Sequence, residues 1–139
     1  MSDFRTLKVW EKAHNLALLN FKLARRMTGP GAAIIRNQWL RATISVPTNI
    51  AEGTGKQSDP EFVRFLRIGL GSLTECEYHL ILARDLGLMS QAAFEASNDQ
   101  TRTVGKMINA LIKSLQHRPA NARSRVVTGD RRLPTGDEL

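Results

Sequence analysis

The chain has 139 residues, 42% of them hydrophobic and 24% charged, with 20 Lys and Arg against 13 Asp and Glu for a net charge of +7. That length fits one domain, which at this size buries roughly 68–70% of its unfolded surface, and the positive balance favours polyanions such as RNA, DNA or an anionic surface. A single cysteine, Cys76, excludes an intrachain disulfide; with no apolar signal region and no run near the ~18 apolar residues of a membrane span, a cytoplasmic protein without membrane contact is expected.

The first helix is predicted from Leu7 to Met27, because Trp10, Ala13, His14, Ala17, Phe21 and Ala24 recur at three- and four-residue spacing before Gly29-Pro30-Gly31 ends the run. A second helix starts near Pro30 or Ala32 and carries Ile34, Ile35, Leu40, Ile44, Val46 and Ile50 to a stop at Gly53. Pro47 lies inside it; losing one backbone hydrogen bond and crowding the preceding turn at a cost of ~3 kcal/mol, it either kinks the helix or splits it in two. After a loop from Thr54 to Ser58, Ser58-Asp59-Pro60-Glu61 gives the sharpest helix start in the chain: capping-box spacing, an early proline, and acids suited to the helix dipole. Phe62, Phe65, Leu66, Gly69, Leu73, Cys76, Leu80 and Ala83 form one stripe of this third helix until Gly87, a rod of about 28 residues or ~42 Å. Gly69 and Gly71 each give up ~1 kcal/mol relative to alanine, so a close helix approach is expected there. The fourth helix starts near Ser90 and turns Phe94, Thr101, Val104, Ile108, Leu111 and Leu115 inward. Residues 1–117 are thus read as the helical domain and 118–139 as a flexible basic tail, whose Arg118, Arg123, Arg125, Arg131 and Arg132 are diluted by Asp130, Asp137 and Glu138.

On a wheel of the first helix, Trp10, His14, Ala17, Phe21 and Ala24 occupy the expected core face, with Val9, Leu16, Leu19, Leu23 and Met27 to one side. The combined apolar arc of roughly 220° exceeds the ~100° stripe of a surface helix, so Val9, Leu16, Leu19 and Leu23 are expected to contact another subunit. Lys8, Lys12, Lys22 and Arg26 collect on the polar arc with Glu11 as its one acid, a pattern for salt-sensitive phosphate contact that Arg64 and Arg67 on the third helix, and Lys106 and Lys113 on the fourth, extend. With Trp10, Phe21, Phe62 and Phe65 read as core, no platform for stacking unpaired bases is expected.

The segment Ser45-Val46-Pro47-Thr48-Asn49-Ile50-Ala51-Glu52-Gly53 carries kinship. So do Phe62-Val63-Arg64-Phe65-Leu66-Arg67-Ile68-Gly69-Leu70-Gly71-Ser72-Leu73-Thr74-Glu75, the opening run from Asp3 to His14, and Ala83-Arg84-Asp85-Leu86-Gly87. From about Asp3 to Leu115 the chain closely resembles the four-helix-bundle family encoded in intervening sequences of bacterial 23S rRNA genes. More distant relatives are the accessory variability determinant proteins of diversity-generating retroelements. The resemblance implies an all-α, antiparallel up-down-up-down four-helix bundle that keeps Pro47 within its second helix and assembles into a ring-like homopentamer with a central channel. Arg41, Pro47, Asn49, Glu52, Gly53 and Glu75 fall in the matching motifs, with Glu77 beside them.

A four-helix bundle invites comparison with di-iron proteins, which need two further carboxylates and two Glu-x-x-His pairs. His14, His79 and His117 do not supply them, and Cys76-x-x-His79 has no second pair for zinc, so no metal, no cofactor and no enzymatic activity are expected. Cys76 reads as core filler, His14 as hydrogen-bonded to a neighbouring helix, and His79 as lying at a surface or interface. Arg41 is expected to bridge the carboxylates of Glu52, Glu75 and Glu77, with Thr48 or Asn49 adding hydrogen bonds between the second and third helices. The alternative, a pair of catalytic acids, needs a pocket that sequence cannot supply. Gly53-Thr54-Gly55-Lys56 lacks phosphate-loop spacing and reads as a cap and loop. The sequence therefore points to a non-enzymatic homo-oligomer that binds RNA or another nucleic acid through a basic surface. The alternative is a protein-interaction scaffold serving a reverse transcriptase or a ribosome-associated partner.

Overall fold

The computed structural model describes residues 3–119, and over them the chain is all-α. A 3₁₀ turn, Phe4–Thr6, leads into α1 (Lys8–Ala24), followed by α2 (Ala32–Thr54), α3 (Asp59–Asp85) and α4 (Gln91–Gln116). The predicted tail beyond Pro119 lies outside the described residues.

The helix ends follow local chemistry. Gly31 enters α2 at φ 82°, a conformation side chains resist. Ser58 Oγ accepts the Glu61 amide at 3.3 Å to open α3, and Ser90 Oγ accepts the Ala93 amide at 3.1 Å to open α4. At the end of α3, Gly87 adopts φ 74°; the Leu88 amide reaches Ala83 O and the Gly87 amide reaches Arg84 O, the Schellman arrangement. The α2 helix is continuous through Pro47. Beside it, Thr48 Oγ1 donates to Ile44 O and Asn49 Nδ2 to Ser45 O, each at 2.8 Å, so both side chains bond back to the turn that the proline disturbs.

In the tertiary packing, α1 lies against α2 and α4, and α3 against the same two, with α1 and α3 diagonal to each other. The core divides into two apolar clusters. One holds Leu7, Val9, Leu16, Ile50, Phe62, Leu66, Ile108 and Leu115; the other holds Trp39, Cys76, Leu80, Ala83 and Phe94 with Ala24 and Met27. Between them sits a buried polar layer drawn from all four helices. Asn20 Nδ2 donates to Thr43 Oγ1 at 3.0 Å, Ser97 Oγ donates to Asn20 Oδ1 at 2.6 Å, and Thr43 Oγ1 meets Cys76 Sγ at 3.5 Å. Such a layer satisfies its polar groups only in one alignment of the helices, which fixes their register.

Several expectations are corrected. Val9 and Leu16 are wholly buried in the core, and Leu23 packs against the second cluster with Leu19 half-buried, so this set is not a free subunit surface. Trp10 and Ala17 are instead half-buried, and His14 and Phe21 exposed; His14 stacks on Trp10 at 5.0 Å between ring centroids rather than bonding a neighbouring helix. Asn20, a polar residue, occupies the inward face that the wheel left to apolar ones. Ile34 and Ile44, part of the apolar run that marked the second helix, are exposed.

The glycines also differ. Gly53 does not stop α2, which runs to Thr54. It is the point of close approach, since a Cβ there would lie 2.6 Å from Phe62 Cδ1 and 3.2 Å from Phe65 Cβ. At Gly69 the nearest atoms are an ordinary 3.8 Å away, and at Gly71 the space is open.

Candidate nucleic-acid interface

Lys8, Lys12 and Lys22 on α1, and Arg26 just beyond it, are all exposed and lie along one side of the helix. None takes part in an ion pair among the described residues. Among the described residues the pairs are Arg5 with Asp3, Arg84 with Asp85, Arg102 with Glu77, and Arg118 with Asp59. Lys12 also lines a groove between α1 and α4 with Asn15, Gln100 and Thr103.

Arg64 and Arg67 are exposed too, but on the helix diagonal to α1, so they form a separate surface rather than an extension of the α1 stripe. Arg64 and Lys56 both stand over the half-buried Phe65 ring, each 4.7 Å from its centroid, so one aromatic ring steadies two cations. Lys106 lines a groove between α3 and α4 with Glu77, Arg102 and Asn109, also away from the α1 stripe.

The expected carboxylate bridges are not formed. Among the described residues Arg41, Glu52 and Glu75, all exposed, form no ion pair, and Glu77 meets Arg102 of α4 at 3.7 Å rather than Arg41. The polar link between α2 and α3 comes from Ser72 Oγ donating to Ser45 Oγ at 2.7 Å, and Asn49 donates to the same Ser45 Oγ at 3.0 Å within α2. Arg118, read as the start of the tail, belongs with the helical body: its Nε lies 3.3 Å from the carboxylate of Asp59, which is 1% exposed.

Two features escaped the sequence reading. Between Glu11 and Glu52 the chain contains Lys12, Lys22, Arg25, Arg26, Arg36 and Arg41 and no acidic residue, so α1 beyond its first turn and nearly all of α2 carry only positive side chains. Arg25 and Arg36 converge with the exposed Phe21 on a cleft where α1 turns into α2. The acid-free run was the signal for this; the placement of Phe21 in the core hid it.

Burial and the flanking carboxylates of Glu75 and Glu77 push the Cys76 thiol up to about 11, with burial the larger cause and the Thr43 hydrogen bond opposing it. It is a protonated core residue. Among the described residues no three His, Cys, Asp or Glu side chains come together as metal ligands would, and no helix is long and apolar enough to cross a membrane.

These features define a four-helix protein with a basic face on α1 and α2 that carries no acid between Glu11 and Glu52. Residues 5–110 match the family described as 23S rRNA-intervening sequence protein, and the chain belongs to that family. It is similar to a protein of unknown function from the S23 ribosomal protein family of Bacteroides thetaiotaomicron, known from a crystal structure. The two are 25% identical and superpose with a TM-score of 0.70 over 76% of this chain and 98% of that one. No curated protein matches.

Proposed function

We propose that this chain is a non-enzymatic, homo-oligomeric four-helix bundle that binds structured RNA through the basic surface of α1 and the α1–α2 turn. The observation that carries the reading is the set of exposed cations, Lys8, Lys12, Lys22, Arg25 and Arg26, none of them paired with an acid among the described residues. Unpaired surface cations on an acid-free segment hold positive potential that phosphates relieve by releasing their counterions.

An antiparallel up-down-up-down arrangement agrees with the inter-helix contacts: Thr43 meets Cys76 while Ser45 meets Ser72, the order reversing between α2 and α3. Self-association is supported by large apolar side chains left at the surface, among them Ile34 at 72% exposed, Ile68 and Tyr78. A ring-like homopentamer, as the family resemblance implies, places five copies of the basic face in one assembly and multiplies its avidity.

The test is fluorescence anisotropy of nucleic-acid-free protein with structured RNA, using a Lys8→Glu, Lys22→Glu, Arg26→Glu variant. All three positions are exposed, so the substitutions spare the core, and with folding checked by circular dichroism RNA binding should be lost at physiological salt. Unchanged affinity would remove the α1 surface as the site. Were the wild-type protein itself inert toward RNA, the same exposed apolar residues would favour a scaffold for a protein partner such as a reverse transcriptase.

A further inference from the structure

We infer that the cleft at the α1–α2 turn seats a single unpaired nucleotide, its base against Phe21 and its phosphate between Arg25 and Arg36. The inference rests on the RNA-binding reading and narrows it from phosphate backbone in general to unpaired segments.

The open cleft has a volume of about 570 Å³ and is lined by Phe21, Arg25, Arg36 and Leu40 together with small residues such as Ala24 and Ala33. Ligand sites typically span roughly 300–1,000 Å³. Phe21 is 38% exposed, so part of its π-face is open, and every base presents a face on which an aromatic ring can stack.

The charge at the cleft is equally specific. Arg36 is half-buried and its Nη1 donates to Met27 O at 2.8 Å, which anchors one corner of the guanidinium at the cleft. The remaining N–H groups of that fork have no partner among the described residues, and a guanidinium fork matches a phosphate in bidentate fashion. Arg25 lies on the same cleft, and Lys22 and Arg26 flank it in sequence. No carboxylate lines the cleft, which disfavours a cationic ligand, and an apolar peptide would leave two guanidinium groups unmatched. A planar base joined to a phosphate satisfies both halves. A free mononucleotide and a looped-out RNA residue share that chemistry.

The experiment compares three probes: an RNA hairpin with 2-aminopurine in its unpaired loop, a blunt duplex RNA of the same length, and AMP as competitor. The proteins are wild type, Phe21→Ala and Arg25→Gln, each checked by light scattering. Both substitutions fall at exposed positions and spare the core. Phe21→Ala is expected to weaken hairpin binding about tenfold, the lower part of the range for one stacked base, and to abolish quenching of the 2-aminopurine signal. Duplex binding should stay within about twofold, because phosphate contacts carry it. Arg25→Gln should likewise cost more on the hairpin than on the duplex. Competition by AMP assigns the site to nucleotides in general; Phe21 dependence without such competition assigns it to RNA. Hairpin binding unchanged in Phe21→Ala, or equal losses on hairpin and duplex, would overturn the nucleotide site while leaving the basic surface standing. A fall in mass for Phe21→Ala would overturn it by making Phe21 a contact between copies. If the wild-type protein binds neither RNA, the broader reading falls and this one with it.

Discussion

Asn20→Ala should be among the most damaging single changes to this fold. The side chain is wholly buried and joins α1 to α2 through Thr43 and to α4 through Ser97. Each lost buried hydrogen bond costs about 1–1.5 kcal/mol, and the hydroxyls left behind lose a partner in the interior. The vacated amide adds roughly 1 kcal/mol as a cavity of a few tens of Å³. Alanine returns about 0.6 kcal/mol in helix propensity, so the net loss comes to about 3 kcal/mol. For a helical body of this size that lowers Tm by roughly 10–15 °C, or the urea midpoint by about 1.5–2 M. The assay is urea unfolding followed by circular dichroism at one fixed protein concentration, since self-association makes apparent stability concentration-dependent. Asn20→Leu should cost less than Asn20→Ala, because it refills the space and lets the Thr43 and Ser97 hydroxyls bond back to carbonyls one turn earlier. A loss below about 1 kcal/mol for Asn20→Ala, or a larger loss for Leu than for Ala, would refute the view that this layer sets the helix register.

Two glycines should respond in opposite directions. Gly53→Ala places a methyl group 2.6 Å from a fully buried Phe62 ring and should destabilise by about 1–3 kcal/mol, whereas Gly71→Ala meets open space and should gain up to about 1 kcal/mol; thermal melts of the two variants decide it. Because the folded-state pKa of Cys76 is raised from 9.0 to about 11, its contribution to stability is complete below pH 9 and is lost as pH climbs toward 11. Cys76→Ala should flatten that alkaline decline, worth about 2–3 kcal/mol at most, and iodoacetamide at pH 8 should label wild-type Cys76 only on unfolding. Arg118→Ala removes the Arg118 ion pair from the buried Asp59 carboxylate. Allowing for the partial exposure of Arg118, a loss of about 1–2 kcal/mol is expected in urea titrations.

The helices were legible because their ends carry chemistry that acts locally. Ser58, Gly87 and Ser90 each mark a boundary through a bond to a neighbour a few residues away, and α3 and α4 show a single apolar stripe that leaves one choice of inner face. On α1 that rule fails. It is apolar on most sides, and its true inner face contains Asn20, whose polarity argues against burial until Thr43 and Ser97 are brought alongside from two other helices. No property of α1 alone reveals those partners. The same limit explains Arg41, Glu52 and Glu75: spacing along each helix gives no rotation of one helix against the next, and all three point outward. The basic face of α1 was readable because charge on one side of a helix is local. The cleft was not, since it exists only where Arg36 of α2 meets Phe21 and Arg25.

The most direct test of the central claim is the salt dependence of RNA binding, with duplex DNA as control. If Lys8, Lys12, Lys22 and Arg26 each neutralise a phosphate, log K should fall against log salt with a slope of about −3 or steeper, and RNA should be preferred to DNA. A slope near zero, or no binding to structured RNA at physiological salt, would contradict the account.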